Sequence, residues 1–429
     1  MQTGCKNLPE ALYLTTEGKA KQHLEERTMF KNGIDINTVS ELRLRTTIYF
    51  GCGAINKIND IAAELVTRNI KKVLVISGRG AYKATGAWDV IVPALESRGI
   101  AYALYDKITP NPSTAQIDEA VALAADAQAV LAIGGGSPID AGKSAAILLA
   151  HPGKTAAELY EMKFTPATAV PIIAVNLTHG TGTEADRFAV ATILEKEYKP
   201  AIAYDCIYPT WSIDDPALMT GLSAAQTRFV SIDAINHCVE AATTKTASPL
   251  SISLAREAIA LVAQYLPVAE KNPADLEARY YLLYASMLAG VSFDNGLLHF
   301  THALEHPLSG VKPELTHGLG LAILLPAVIR EIYAAKSVVL ADILAPLVPG
   351  LTGDAAEAAQ AAKGVEQWLA AAGVPQKLAD EGFTAADIDK LVDLTFTTPS
   401  LGGLLALAPV TADADAVRRI YTNSLTKLA

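Results

Sequence analysis

Up to about residue 220, short runs of continuously apolar, β-branched residues alternate with amphipathic stretches. KKVLVIS (71–77), AYALYD (101–106), AVLAIGGGS (129–137) and AVPIIAVN (169–176) predict strands separated by segments of helical spacing. Their hydrophobicity is continuous instead of alternating, which marks strands buried on both faces. That is how a parallel sheet of βαβ units reads. After about 220 the texture changes. SAAQTRFVSIDAINHCVEAATT, SLAREAIALVAQYLPVAEK, ARYYLLYASMLAGVSF and HGLGLAILLPAVIREIYAAK are rich in Ala and Leu and keep apolar positions at helical spacing. The pattern predicts an α/β domain with a parallel sheet over 46–221 and an all-helical domain over 222–429. Residues 1–45 read as an N-terminal extension ahead of the strand region TTIYFG.

Composition narrows the class. The chain has 429 residues, 51% of them hydrophobic and 19% charged, which fits a globular chain of two domains. A net charge of −10 argues against nucleic acid or an anionic membrane as partner, because both attract basic surfaces. No uninterrupted apolar run approaches the roughly 18–20 residues of a spanning helix, and the polar start lacks a secretory signal's apolar core. A cytoplasmic location is expected. Cys5, Cys52, Cys206 and Cys238 are scattered without a CxxC pair and read as free thiols. Cys238 follows His237 and reads as a buried helix residue.

Two glycine turns follow predicted strands. GGGSPIDAGK (134–143) lies between AVLAI and a helical stretch. Glycine there lets backbone N–H groups approach an anion at a helix N-terminus, and Ser137 adds a hydroxyl donor. THGTGTEAD (178–186) offers Thr178, Thr181 and Thr183 beside glycine backbone. Two such turns at strand ends suit a dinucleotide across a parallel sheet, so 46–221 reads as dinucleotide-binding. The helical part carries a second constellation. Five of the eight histidines fall between 237 and 317. Asp233 and His237 share a helix face at i, i+4, as do His302 and His306, and His317 opens the next helix. One carboxylate with several imidazoles suits a borderline divalent ion such as Zn²⁺ or Fe²⁺. The alternative is a set of hydrogen-bonded core histidines.

From about residue 45 onward these motifs resemble the iron-containing (group III) alcohol dehydrogenases. PNPS (110–113), GGGSPIDAGK, THGTGTEAD, DDPALM (214–219), DAINHCVEA and HALEHPLSG…THG occur in the family's order. The resemblance implies a cleft between a nucleotide-binding domain and a helical domain. It implies that Asp233, His237, His302 and His317 hold the metal, Fe²⁺ first and Zn²⁺ second. It places His306 near the nicotinamide as a proton relay, and Gly135, Gly136 and Ser137 at the pyrophosphate. Asn111, Asp140, Thr178, Thr181 and Lys199 match other cofactor-lining positions. Where NAD-preferring members carry an aspartate after the second strand, this chain has Gly78 followed by Arg79. The loss of a carboxylate and gain of a guanidinium admit NADP as well as NAD.

The implied activity is reversible hydride transfer between NAD(P) and a small primary alcohol or aldehyde, in a homodimer or larger homo-oligomer. The chain departs from the family at Asn176-Leu177, His179, Arg187 and His299, and by about one extra residue between His302 and His317. These polar additions read as solvent-facing, with a pocket for a polar or anionic substrate as the alternative. Competing functions are a hydroxyacid–oxoacid transhydrogenase with retained nicotinamide, a phosphate-substrate or cyclising enzyme of the same superfamily, and a scaffold with a vestigial site.

Overall fold

The computed structural model describes residues 43–428, so most of the expected extension, and with it Cys5, lies outside the described residues. Among the described residues eight strands form: β1 (Thr47–Phe50), β2 (Lys72–Gly78), β3 (Ala101–Ile108), β4 (Ala129–Gly134), β5 (Ile172–Asn176), β6 (Phe188–Val190), β7 (Ala201–Ala203) and β8 (Trp211–Asp214). Six of them make one parallel sheet in the order β1-β8-β5-β4-β2-β3, while β6 and β7 pair as a separate antiparallel hairpin. Between the strands run α1 (Ile58–Thr67), α2 (Ala81–Ala84), α3 (Ala87–Glu96), α4 (Thr114–Leu123), α5 (Gly136–Ala150) and α6 (Ala156–Tyr160).

Both faces of the sheet are covered, as its continuous hydrophobicity requires. Val73 and Val75 of β2 pack with Ile58, Leu65, Ile91 and Leu95 from α1 and α3. Leu74 and Ile76, pointing the other way, meet Ile117, Ala145 and Ile147 from α4 and α5. Every residue of β4 and β5 is buried. Strand β8 and the β6–β7 hairpin escape the hydrophobic pattern. In β8, the polar Ser212 and Asp214 are buried because Ser212 Oγ donates to the Glu184 carbonyl and Asp214 accepts from Asn176. After β3 the chain crosses β2 to form β4. The carboxyl ends of β2 and β4 therefore flank the crevice where an open α/β sheet takes its ligand.

Beyond β8 the described chain is helical: α7 (Ala224–Thr243), α8 (Pro249–Lys271), α9 (Leu276–Gly296), α10 (Phe300–Val311), α11 (His317–Leu344), α12 (Ala358–Ala371), α13 (Ile388–Thr397), α14 (Leu401–Ala406) and α15 (Ala414–Ser424). By length and composition α8 and α11 could each cross a membrane. However, 78% of the most apolar stretch of α11 is buried inside the fold, and α8 buries Ile252, Ala255, Ile259, Val262 and Leu266 along one face. In α11 the apolar length is core packing, while in α8 39% of the corresponding stretch is buried, along one face. Side-chain caps start two of these helices. Ser223 accepts from Gln226 N ahead of α7, and Asp275 from Ala278 N ahead of α9.

Candidate active site

Helix α7 presents Asp233 and His237 one turn apart, and α10 presents His302 and His306 in the same way. His302 Nε2 lies 3.5 Å from Asp233 Oδ1, and His237 Nε2 lies 3.6 Å from the same oxygen. The His237 and His302 rings stack 4.5 Å apart. His317, at the first position of α11, completes the group: one donor atom each from Asp233, His302 and His317 lie within 4.8 Å of one another. Asp233 Oδ1 and His302 Nε2 are buried and lack a hydrogen-bond partner in the protein. Buried polar atoms rarely remain unpaired, so an inward-facing carboxylate oxygen and ring nitrogen in this state fit a cation. A second grouping, Glu305, His306 and His317, is geometrically close too. Its carboxylate is already engaged by Lys199, Ser309 and His317, which leaves it no free oxygen for a metal.

Two carboxylates orient the imidazoles. Glu240, three residues after His237 on α7, accepts from His302 Nδ1 through Oε2 and from the backbone N–H of His299 and His302 through Oε1, at 2.9 and 3.3 Å. One side chain thus anchors the start of α10 and leaves His302 Nε2 free to ligate. Glu305 does the same for His317 by accepting from its Nδ1, and Lys199 Nζ donates to Glu305 at 3.1 Å. Carboxylate–histidine pairs of this kind fix tautomer and ring direction at metal sites. The charge balance agrees. Burial would raise the Glu240 carboxyl, but His302 and then His299 hold it down to about 2. Burial would lower His302, but Glu240 and Asp233 hold it up to about 9. Such a site keeps positive charge among its acids, and a bound cation can replace the proton.

The glycine turn sits at the end of β4. A side chain at Gly135 would place its Cβ 2.6 Å from Thr178 Oγ1, and one at Gly136 2.7 Å from Thr181 Cγ2. The turn and the threonine loop are therefore in contact, at the N-terminus of α5. Thr178 Oγ1 is buried without a partner, which fits a polar ligand laid across the two loops. Ser137 is in the first turn of α5 and Gly78 ends β2, with Arg79 exposed after it.

Three residues expected to line the cofactor also bond within the protein. Asp140 accepts from Thr183 Oγ1 at 2.7 Å and from Val190 N at 3.0 Å, tying α5 to the threonine loop and β6. Asn111 Nδ2 donates to the Pro313 carbonyl at 2.9 Å, in the turn that leads to His317. Lys199 belongs to the Glu305–His317 pair. The additions read as solvent-facing are also internal. His179 and His299 are buried, and Arg187 pairs with Asp205 and Asp294. His299 caps α10, its Nδ1 accepting from Phe300 N and its Nε2 meeting Thr243 Oγ1. Cys238 is buried in the helical core.

Comparison with known proteins decides the family. A model of iron-containing alcohol dehydrogenases matches residues 45–216, and one of the Fe-containing alcohol dehydrogenase C-terminal domain matches 227–425. The chain belongs to the iron-containing alcohol dehydrogenase family. It is an oxidoreductase acting on alcohols. It is 58% identical to a long-chain primary alcohol dehydrogenase of Thermoanaerobacter ethanolicus, over 92% of this chain and 100% of that one. It is 34% identical to a 1,3-propanediol dehydrogenase of Klebsiella pneumoniae, over 84% and 95%. An NADH-dependent butanol dehydrogenase of Thermotoga maritima has a similar structure, with TM-score 0.82 at 28% identity, covering 90% of this chain and 98% of that one. In this iron-containing alcohol dehydrogenase, sequence reasoning finds the histidines but misses Glu240 and Glu305. The available signal was position: each follows a histidine of the cluster by three residues, one helical turn away.

Proposed function

We propose that the protein is a metal-dependent, NAD(P)-linked dehydrogenase that interconverts a primary alcohol and its aldehyde. The observation that carries this reading is the buried, unpartnered pair of Asp233 Oδ1 and His302 Nε2, with His237 and His317 beside them. Asp233, His237, His302 and His317 would hold a divalent ion, Fe²⁺ first and Zn²⁺ second. When bound, such an ion supplies Lewis acidity to the substrate oxygen, an effect that lowers the pKa of water from about 15.7 to about 7. The remaining work is the chain's own. The glycine turn and Thr178 loop orient the cofactor, whose nicotinamide carries the hydride chemistry. His306 is buried with an unpartnered Nδ1, and burial, with Lys199 close by, pushes its imidazole well below the ordinary value. The ring therefore rests neutral, and His306 is the group through which the alcohol proton would leave.

The tail of the substrate has a natural wall. Phe293 stacks 4.5 Å from the His237 ring, Phe188 lies 5.3 Å from Phe293, and Leu298 and Leu404 pack with them. This apolar surface, and the long-chain primary alcohol relative, support an alkyl alcohol over an anionic one. His179 bonds to Ser231 and Arg279, and Arg187 to Asp205 and Asp294, so neither supports a polar pocket. Gly78 and the exposed Arg79 support NADP use beside NAD.

The test is anaerobic purification followed by a panel from ethanal to octanal, with NADH and NADPH side by side. Reduction that strengthens with chain length is expected. Activity without added nicotinamide, with cofactor retained through gel filtration, would move the reading to a transhydrogenase. Replacing His306 by alanine is expected to leave metal content intact and lower kcat about 100-fold, within the range of general acid–base contributions. Metal loss in that variant would make His306 a ligand. Gly135→Ala is expected to raise the cofactor KM about ten-fold while metal content stays at the wild-type level, because the added methyl group must displace Thr178.

A further inference from the structure

We propose that His179 and Arg279 are positioning residues for the nicotinamide cofactor, holding the Thr178–Thr183 loop against the glycine turn from behind. This rests on the reading that the cofactor's phosphates lie across those two loops.

The loop has two faces. Thr178 and Thr181 point to Gly135 and Gly136. The residues between them turn the other way. His179 Nδ1 lies 3.4 Å from Ser231 Oγ on α7, and its Nε2 lies 2.9 Å from Arg279 Nη1 on α9. Gly180 is pressed on the Val230 carbonyl, which a Cβ would approach to 2.2 Å. Gly182, at φ +65°, abuts Gly290 so closely that a Cβ would come within 2.4 Å of its Cα. The back of the cofactor loop is thus moulded to α7 and α9, and His179 is the side chain through which it is hydrogen-bonded to both.

The chemistry fixes the tautomer. A guanidinium only donates, so His179 Nε2 accepts and its proton sits on Nδ1, facing Ser231. Burial first, and Arg279 second, push the imidazole down to about 3, which keeps it neutral and able to accept. Arg279 is among the largest fully buried side chains. Its partners are His179 Nε2, Thr227 Oγ1 at 2.8 Å, the Pro273 carbonyl at 2.9 Å and the Leu222 carbonyl at 3.3 Å. All are neutral, so among the described residues the buried cation has hydrogen bonds but no carboxylate. Removing the His179 acceptor leaves a buried charged donor short of a partner, and the loop loses its tether.

Two substitutions separate tethering from bulk. In His179→Gln, the amide oxygen reaches the former Nε2 position and still accepts from Arg279. His179→Asn is too short to do so. Calorimetric titration with NADH and NADPH is expected to show Asn weakening the preferred cofactor about ten-fold, equivalent to ~1.4 kcal/mol and close to one charged hydrogen bond. Gln should stay within about three-fold of wild type, and in the Asn variant kcat, alcohol KM and metal content should move less than about two-fold. Equal cofactor affinity in wild type and both variants overturns the inference. So does an Asn variant whose alcohol KM rises and metal content falls as much as its cofactor binding weakens. If the Asn variant does not fold, the same titration on Arg279→Lys decides, since a single ammonium cannot bridge His179, Thr227 and two carbonyls. A wild type that binds neither dinucleotide sinks the functional reading itself, whereas a binding wild type with unaffected variants sinks only the role of His179 and Arg279.

Discussion

Replacing His302 by alanine is expected to strip the protein of metal and lower turnover about a thousand-fold, a loss of ~4 kcal/mol of transition-state stabilisation. His302 stands at the centre of the cluster. Its Nε2 faces Asp233 Oδ1 at 3.5 Å, its ring stacks on His237, and its Nδ1 is bound by Glu240. Alanine removes one donor and leaves the Glu240 carboxylate without its imidazole partner. Metal analysis beside aldehyde reduction reads both effects, with circular dichroism to confirm folding. His306→Ala is the matched control on the same helix. A His302→Ala protein that keeps a full metal complement would remove His302 from the ligand set.

Glu240→Gln is expected to weaken metal binding 10- to 100-fold, roughly the cost seen when a ligand's orienting partner is lost. The carboxylate accepts on both oxygens: His302 Nδ1 on one, and the N–H groups of His299 and His302 on the other. An amide has one accepting oxygen and one donating nitrogen. If its nitrogen faces His302, the ring takes the tautomer with its proton on Nε2, which cannot ligate. If its nitrogen faces the backbone, two donors confront two donors at the start of α10. Chelator competition measures the affinity. An unchanged affinity would mean that Glu240 only caps the helix.

What the sequence discloses follows from what is local. β2, β4 and β5 are legible because burial on both faces leaves an unbroken apolar run. Trp211–Asp214 is not, since its polar residues are buried by pairing with Glu184 and Asn176, far away in the chain. The histidines stand out because imidazole is scarce here and i, i+4 spacing is local. The same spacing cannot tell His302 from His306. That difference lies in which nitrogen is already bound, and it depends on Glu240, 62 residues away. Glu240 and Glu305 look like ordinary polar helix positions until α7, α10 and α11 pack. His179, His299 and Arg187 mislead for the same reason. A polar residue in a linear reading belongs to solvent, yet His179 finds Arg279 100 residues on and His299 finds Thr243 56 residues back.

In the proposed site, Asp233, His237, His302 and His317 grip a divalent cation beside the cofactor loops. Anomalous diffraction from crystals of anaerobically purified protein tests it most directly. One strong peak per chain is expected, within bonding distance of all four side chains, that disappears with activity after chelation and returns with Fe²⁺. A protein that reduces aldehydes at full rate with no peak there would contradict it.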